Sequence, residues 1–272
     1  MTPDEPTNRL RDRSLIAAYF GRLAKSYGEG VYYARRRAAV MAAVACELRD
    51  ARTILDLGCG NGAYLAELRK ACKDARIFGA DLSVEMLNEA RCRIGAGADL
   101  AVGDATALPF RARCFDLILC SHVLQIVADL ERCVGEAAQC LRSGGVLIAT
   151  LGGRNFADAL KDRIAPEQWA ELYRAFTHAI GRGEWTRHGE QSYRAVCQGA
   201  GLAVESRSAP FSVVWRDIEE LIGIRWMPLV PDQTREQFER IFKGLRADPR
   251  VGAQTFELNE GILLARKPVA RV

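Results

Sequence analysis

The chain has 272 residues, 49% apolar and 26% charged, with a formal net charge of +4. That balance suits an enzyme-sized globular fold, and the charge is too small to point to nucleic acid or an anionic membrane surface. Nine cysteines without a CxxC pair and three scattered histidines argue against a disulfide framework or a zinc site, and no apolar run is long enough to span a bilayer.

These features lead us to expect a cytoplasmic protein with reduced thiols, no metal, and no nucleic-acid or membrane partner. The opening MTPDEPTNRL, acidic and proline-containing, does not read as a secretory leader. Residues 1–13 read as a loose polar terminus. Residues 14–49 carry apolar side chains at three- and four-residue steps, which predicts helices broken at Gly28-Glu29-Gly30. Within them Arg35, Arg36 and Arg37 read as a solvated helix face.

From Thr53 the period changes. TILDL predicts a strand, NGAYLAELRKACK a helix, RIFGADL a strand, and SVEMLNEARCRI a helix with Ser83 as N-cap. ADLAVGD and FDLILCSHV follow as strands, DLERCVGEAAQCL as a helix and GGVLIATL as a strand. This alternation predicts a doubly wound parallel α/β sheet with helices on both faces. After Leu151 the rhythm stops. Helical segments lead to a strand at AVESRSAPFSVVW, a second helical stretch runs from Ile218 to about Leu245, and QTFELNEGILLARK closes as a strand. The two helical insertions can form a lid over the sheet's C-terminal edge, where open α/β sheets bind ligands.

The chemistry starts at TILDLGCGNGAY. Gly58, Gly60 and Gly62 permit positive φ and close backbone approach to a ligand. Gly58-x-Gly60-x-x-Ala63 also satisfies the dinucleotide fingerprint, so an NAD-dependent oxidoreductase is a rival reading. Asp56, two residues before the first glycine, separates the two. A carboxylate there repels a pyrophosphate and attracts an ammonium, which suits S-adenosylmethionine; capping the turn locally is its other use. Asp81 ends the next strand about 20 residues on, where an acidic side chain takes ribose hydroxyls. Met86 either lies against an adenine or fills the core. Asp104, in GDATALPF, is placed to accept from an adenine amine and the Ala105 N–H to donate to the ring; a turn aspartate is the alternative.

As a set, ILDLGCGNG, GADLS, GDATALPF, FDLILCSHVL and LRSGGVLIA resemble the class I S-adenosylmethionine-dependent methyltransferases of the small-molecule branch, over about residues 50–151. The resemblance implies a Rossmann-like seven-stranded sheet with the last strand antiparallel. It implies a cofactor lined by Asp56, Gly58, Cys59, Gly60, Asp81, Leu82, Asp104 and Ala105, with Ser121 near the transferable methyl and S-adenosylhomocysteine as product. The flanks resemble the malonyl-acyl-carrier-protein O-methyltransferases of biotin synthesis, whose N-terminal tyrosine and arginine fall at Tyr27 and Arg35. LQIVAD has Ile126 and Val127 where that family has a tryptophan. The expected division is residues 1–50 as N-terminal helices and lid, 51–151 as cofactor-binding core, 152–202 as helical cap, and 203–272 as the last two strands with a second helical insertion.

Methyl transfer asks mainly for alignment. A carboxylate acceptor, free or carrier-bound, needs a cation to hold it; Arg35, Arg154, Arg187 and Arg194 are candidates. The basic N-terminal helix would then be a docking face for an acidic carrier protein. A phenol or amine acceptor, as in natural-product O-, N- or C-methylation, wants a base, and His122 beside Ser121 is placed for it. Tyr19, Tyr27, Tyr32 and Tyr33 either pack the helices or gate the site. A monomer or homodimer is expected, and a cofactor-binding module without catalysis stays open.

Overall fold

The computed structural model describes residues 13–180, 189–225, 227 and 232–269. Three helices come first, α1 (Arg13–Leu23), α2 (Val31–Ala43) and α3 (Ala45–Arg49). Then β1 (Thr53–Leu57), α4 (Ala63–Ala71), β2 (Arg76–Asp81), α5 (Val84–Ile94), β3 (Asp99–Val102), β4 (Phe115–Ser121), α6 (Leu130–Cys140) and β5 (Leu141–Gly152) alternate. The last part holds α7 (Phe156–Lys161), α8 (Pro166–Ile180), α9 (Glu190–Gly199), β6 (Ala203–Val214), α10 (Trp215–Arg225), α11 (Asp232–Ala247) and β7 (Thr255–Arg266).

The strands form one sheet in the order β3-β2-β1-β4-β5-β7-β6. β1 pairs in parallel with β2 and β4, while β7 runs antiparallel to both β5 and β6. This is the seven-stranded Rossmann-like sheet with its last strand reversed. Central β1 is covered on both faces, which explains a run apolar at every position but Thr53 and Asp56. Around it the local rules hold. Ser83 Oγ accepts from Met86 N and caps α5, and α6 buries Leu130, Cys133, Val134, Ala137 and Ala138 at three- and four-residue steps.

Two apolar cores fill the two faces of the sheet. A third lies beyond its edge. There Tyr32 and Tyr33 of α2 join Phe156 and Leu160 of α7, Phe211 and Val213 of β6, Trp215 of α10, Phe238 of α11 and Phe256 of β7. The geometry behind it is a hairpin longer than its sheet. β6 and β7 pair over twelve residues each, but β7 meets β5 only from Gly261 to Arg266. Thr255–Glu260 therefore project past β5, and the inserted helices and α2 wrap that projection. Within the helical stretch read from Ile218 to Leu245, the described residues form α10, which runs to Arg225, and α11, which starts at Asp232. Among the described residues no helix is long and apolar enough to cross a membrane.

Candidate active site

The loop after β1 turns at the sheet's C-terminal edge, between strands that lead to opposite sides. Gly58 has φ +70°, and a Cβ there would stand 2.2 Å from Val123 Cγ2, so glycine alone fits both the backbone and the space. The loop is tied to β2. Gly58 N and Cys59 N both donate to Ala80 O. Gly60 N donates to Asp81 Oδ2 at 2.8 Å, and Ser83 N to Asp81 Oδ1 at 2.9 Å. From above, Asn61 Nδ2 donates to Ala24 O and Tyr27 O, fastening the chain after α1 over the loop.

Asp56 is 1% exposed, and its Oδ2 is buried without a hydrogen-bond partner. Burial, with the like charge of Asp81 nearby, pushes its carboxyl up to about 8. Burial also raises Asp81, against the backbone N–H groups that favour its charge. Two carboxyls so placed favour an incoming cation with hydrogen bonds to give.

Asp56 borders a narrow cavity of about 50 Å³ that is partly open to solvent. Tyr27, Gly58, Cys59, Ser121 and His122 border it as well. Gly60 stands in the adjoining loop and Asp81 at the end of β2, and Leu82 turns its N–H toward the Asp81 carboxylate. Met86, 1% exposed, keeps its sulfur against Gly60. Asp104 is held by Arg13, 2.7 Å away, and by the N–H and hydroxyl of Thr106, while Ala105 packs half-buried against the core.

Arg35 is not brought to the cavity. Its Nη1 donates to Ser212 O at 2.9 Å, and Nη2 lies 3.6 Å from Asp217. The arginine at the cavity is Arg36, because the helical period puts Tyr33, Arg36, Arg37 and Val40 on the inward face of α2. Arg36 stacks on the Tyr33 ring at 4.8 Å, with Nε 3.8 Å from Glu260 Oε2. Burial opposes its charge, but Glu260 and the surrounding tyrosines hold it above the ordinary arginine range. Arg37 donates to Gly28 O. The expected basic docking face is thus turned inward, with only Arg35 half exposed. Arg154 pairs with Asp162 and Arg194 binds Val204 O and Ser206, so neither reaches the cavity; Arg187 lies outside the described residues. Tyr33 lines the cavity, Tyr32 packs on Phe156 and Phe211, and Tyr19 on Phe20.

His122 follows β4 directly and has φ +58°. Its Nε2 stands 3.0 Å from Oε1 of Glu260, a carboxylate 3% exposed that also accepts from Gly152 N at 2.7 Å. Burial works against the charge on Glu260, but His122, Arg36 and the Gly152 N–H hold it below the usual glutamate range. Arg36, Asn61 and Tyr64, which line the cavity, and Glu260, which backs His122, are not among the site residues expected from sequence. Glu260 had left a signal: in FELNEGI it takes an inward position, between Leu258 and Ile262, that the strand's alternation reserves for apolar residues. Among the described residues no cluster of His, Cys, Asp and Glu is arranged to hold a metal.

A family model described as a methyltransferase domain matches residues 55–149. A malonyl-[acyl-carrier protein] O-methyltransferase from Pseudescherichia vulneris is 31% identical over 184 residues, which cover 65% of this chain and 72% of the relative. The chain belongs to the S-adenosylmethionine-dependent methyltransferases. A second relative, the biotin biosynthesis bifunctional protein BioHC of Cellvibrio japonicus, is 32% identical over 52% of this chain. The chain spans only 28% of that relative, and about half or less of the length of the first curated relatives it matches. Among solved methyltransferases, phosphoethanolamine N-methyltransferase 2 of Haemonchus contortus, in complex with S-adenosylhomocysteine, shares the fold: TM-score 0.58, 16% identity, 95% of this chain and 60% of the other.

Proposed function

We propose that the protein transfers a methyl group from S-adenosylmethionine to a small-molecule or carrier-bound acceptor. The observation that carries the reading is the buried, unpartnered Asp56 Oδ2 at the cavity wall. A diphosphate finds no use for it; an ammonium does. Asp56 then takes the cofactor's amino group, Arg36 its carboxylate, Asp81 the ribose hydroxyls and Asp104 the adenine amine, with Met86 beneath. The cofactor supplies a carbon already activated by a sulfonium. The chain supplies alignment, on the order of 7–11 kcal/mol of barrier lowering, and exclusion of water by the tyrosine layer of α2. Calorimetric titration tests the reading: S-adenosylmethionine binds and NAD does not. Tight NAD binding without a response to S-adenosylmethionine would restore the dinucleotide alternative.

The acceptor has two readings. The named activity of the relatives supports a carrier-bound carboxyl, which would be held by a cation and need no base. The side chains at the cavity support an acceptor that must lose a proton, with His122 as base, because His122 is backed by a buried carboxylate. Either acceptor accumulates S-adenosylhomocysteine, which a binding module without catalysis would not.

A further inference from the structure

We infer that His122 and Glu260 form a base pair of side chains in which Glu260 is the positioning residue and His122 the proton acceptor, so that the acceptor substrate carries a hydroxyl, an amine or an acidic carbon. The inference rests on the methyltransferase reading and deepens it by naming the acceptor's chemistry.

Three observations converge. Glu260 is an ionised group on β7, 3% exposed, and Gly152 N fixes its Oε1. The same oxygen faces His122 Nε2 at 3.0 Å. A carboxylate there places the ring proton on Nε2 and leaves the lone pair on Nδ1. On the other side of the ring, Gln125 Nε2 donates to Thr150 O at 3.3 Å and faces Nδ1 at 3.4 Å. An amide N–H at Nδ1 requires that same tautomer. Finally, the backbone of His122 is left-handed at φ +58°. That conformation costs about 1–3 kcal/mol. Thr150 Oγ1 holds it by accepting from His122 N at 3.1 Å and bonding Ser121 Oγ at 3.0 Å. The turn brings the ring to the cavity beside Ser121.

Arg36 completes the arrangement from α2. Its Nε faces the second Glu260 oxygen at 3.8 Å, too far for a hydrogen bond, so Glu260 holds His122 closely and Arg36 loosely. Arg36 is therefore open to an entering carboxylate while the histidine keeps its partner. In the reaction, an acceptor hydroxyl, amine or carbon acid displaces Gln125 and gives its proton to Nδ1. The freed electron pair forms the new bond to the methyl carbon as the carbon–sulfur bond breaks onto sulfur. The imidazolium, stabilised by Glu260, later returns its proton to water.

Three samples test this: wild type, Glu260→Gln and His122→Asn, asparagine being a residue that tolerates the left-handed turn. Nitrogen-15 spectra of histidine-labelled protein with bound S-adenosylhomocysteine need no acceptor. The wild-type His122 ring is expected as the Nε2–H tautomer, and Glu260→Gln is expected to mix the tautomers and lower the pH at which the ring titrates. A wild-type Nδ1–H tautomer, or a ring unaffected by Glu260→Gln, overturns the proposal. Turnover of a phenol, amine and carboxylate panel, read as S-adenosylhomocysteine release, then separates chemistry from structure. With proton-bearing acceptors, kcat is expected to fall on the order of 100-fold in His122→Asn, with KM and cofactor affinity kept and the acid limb of the pH profile moved in Glu260→Gln. Carboxylates turned over equally by all three samples refute it. Loss of cofactor binding by wild type itself would instead refute the parent reading.

Discussion

Asp56 departs from the apolar pattern of its strand as a buried carboxyl with one oxygen unpartnered. A buried carboxyl pushed up to about 8 holds a proton that the unfolded chain, titrating near ~4, has already released. Between those values the folded state binds more protons than the unfolded one, so its stability falls as pH rises. Asp56→Asn removes that dependence. The variant without ligand is expected to melt a few degrees above wild type at pH 8, with a smaller gap at pH 6, in thermal scans. Its affinity for S-adenosylhomocysteine should drop about 10- to 100-fold by calorimetry, because the ammonium loses a charged acceptor. Wild-type binding near neutral pH should also release protons, read as heats that differ between buffers of different ionisation enthalpy.

Elements position these groups through their ends. β1, β2 and β4 deliver Asp56, Asp81 and Ser121–His122 to one edge, and α5 starts there because Ser83 caps it. Ser83→Ala is expected to cost about 1 kcal/mol of stability by denaturant unfolding. The Ser83 N–H that holds Asp81 belongs to the backbone and survives the change, so cofactor affinity should hold far better than in Asp56→Asn. The N-terminal segment differs from the core elements. The helix there is as expected, but Arg36 rather than Arg35 faces the cavity, since one residue of phase turns a helix by about 100°. Contacts with α7, α10 and the β6–β7 projection decide which face of α2 turns inward, and none of them is local.

In the whole molecule, the tyrosine and arginine face of α2 closes the cavity from one side and the sheet edge from the other, while Arg13 of α1 reaches Asp104. A ligand bound between them ties the N-terminal helices to the sheet. At about 100 times its dissociation constant, S-adenosylhomocysteine is expected to add roughly 2.7 kcal/mol and raise the melting temperature by several degrees, while NAD leaves it unchanged. The alternation of short apolar runs with amphipathic segments was enough to foretell the sheet, its two helical layers and the glycine loop, because period and turn chemistry act over a few residues. Asp56, Asp81, Asp104 and Ser121 were legible for the same reason: each sits at a strand end that local pattern marks. The partnership of Arg36, His122 and Glu260 was not. It joins α2, β4 and β7, far apart along the chain, and depends on the antiparallel return of β7 beside β5, which sets the carboxylate against the imidazole. Local pattern carries no record of such a distance; it exists only once the chain has packed.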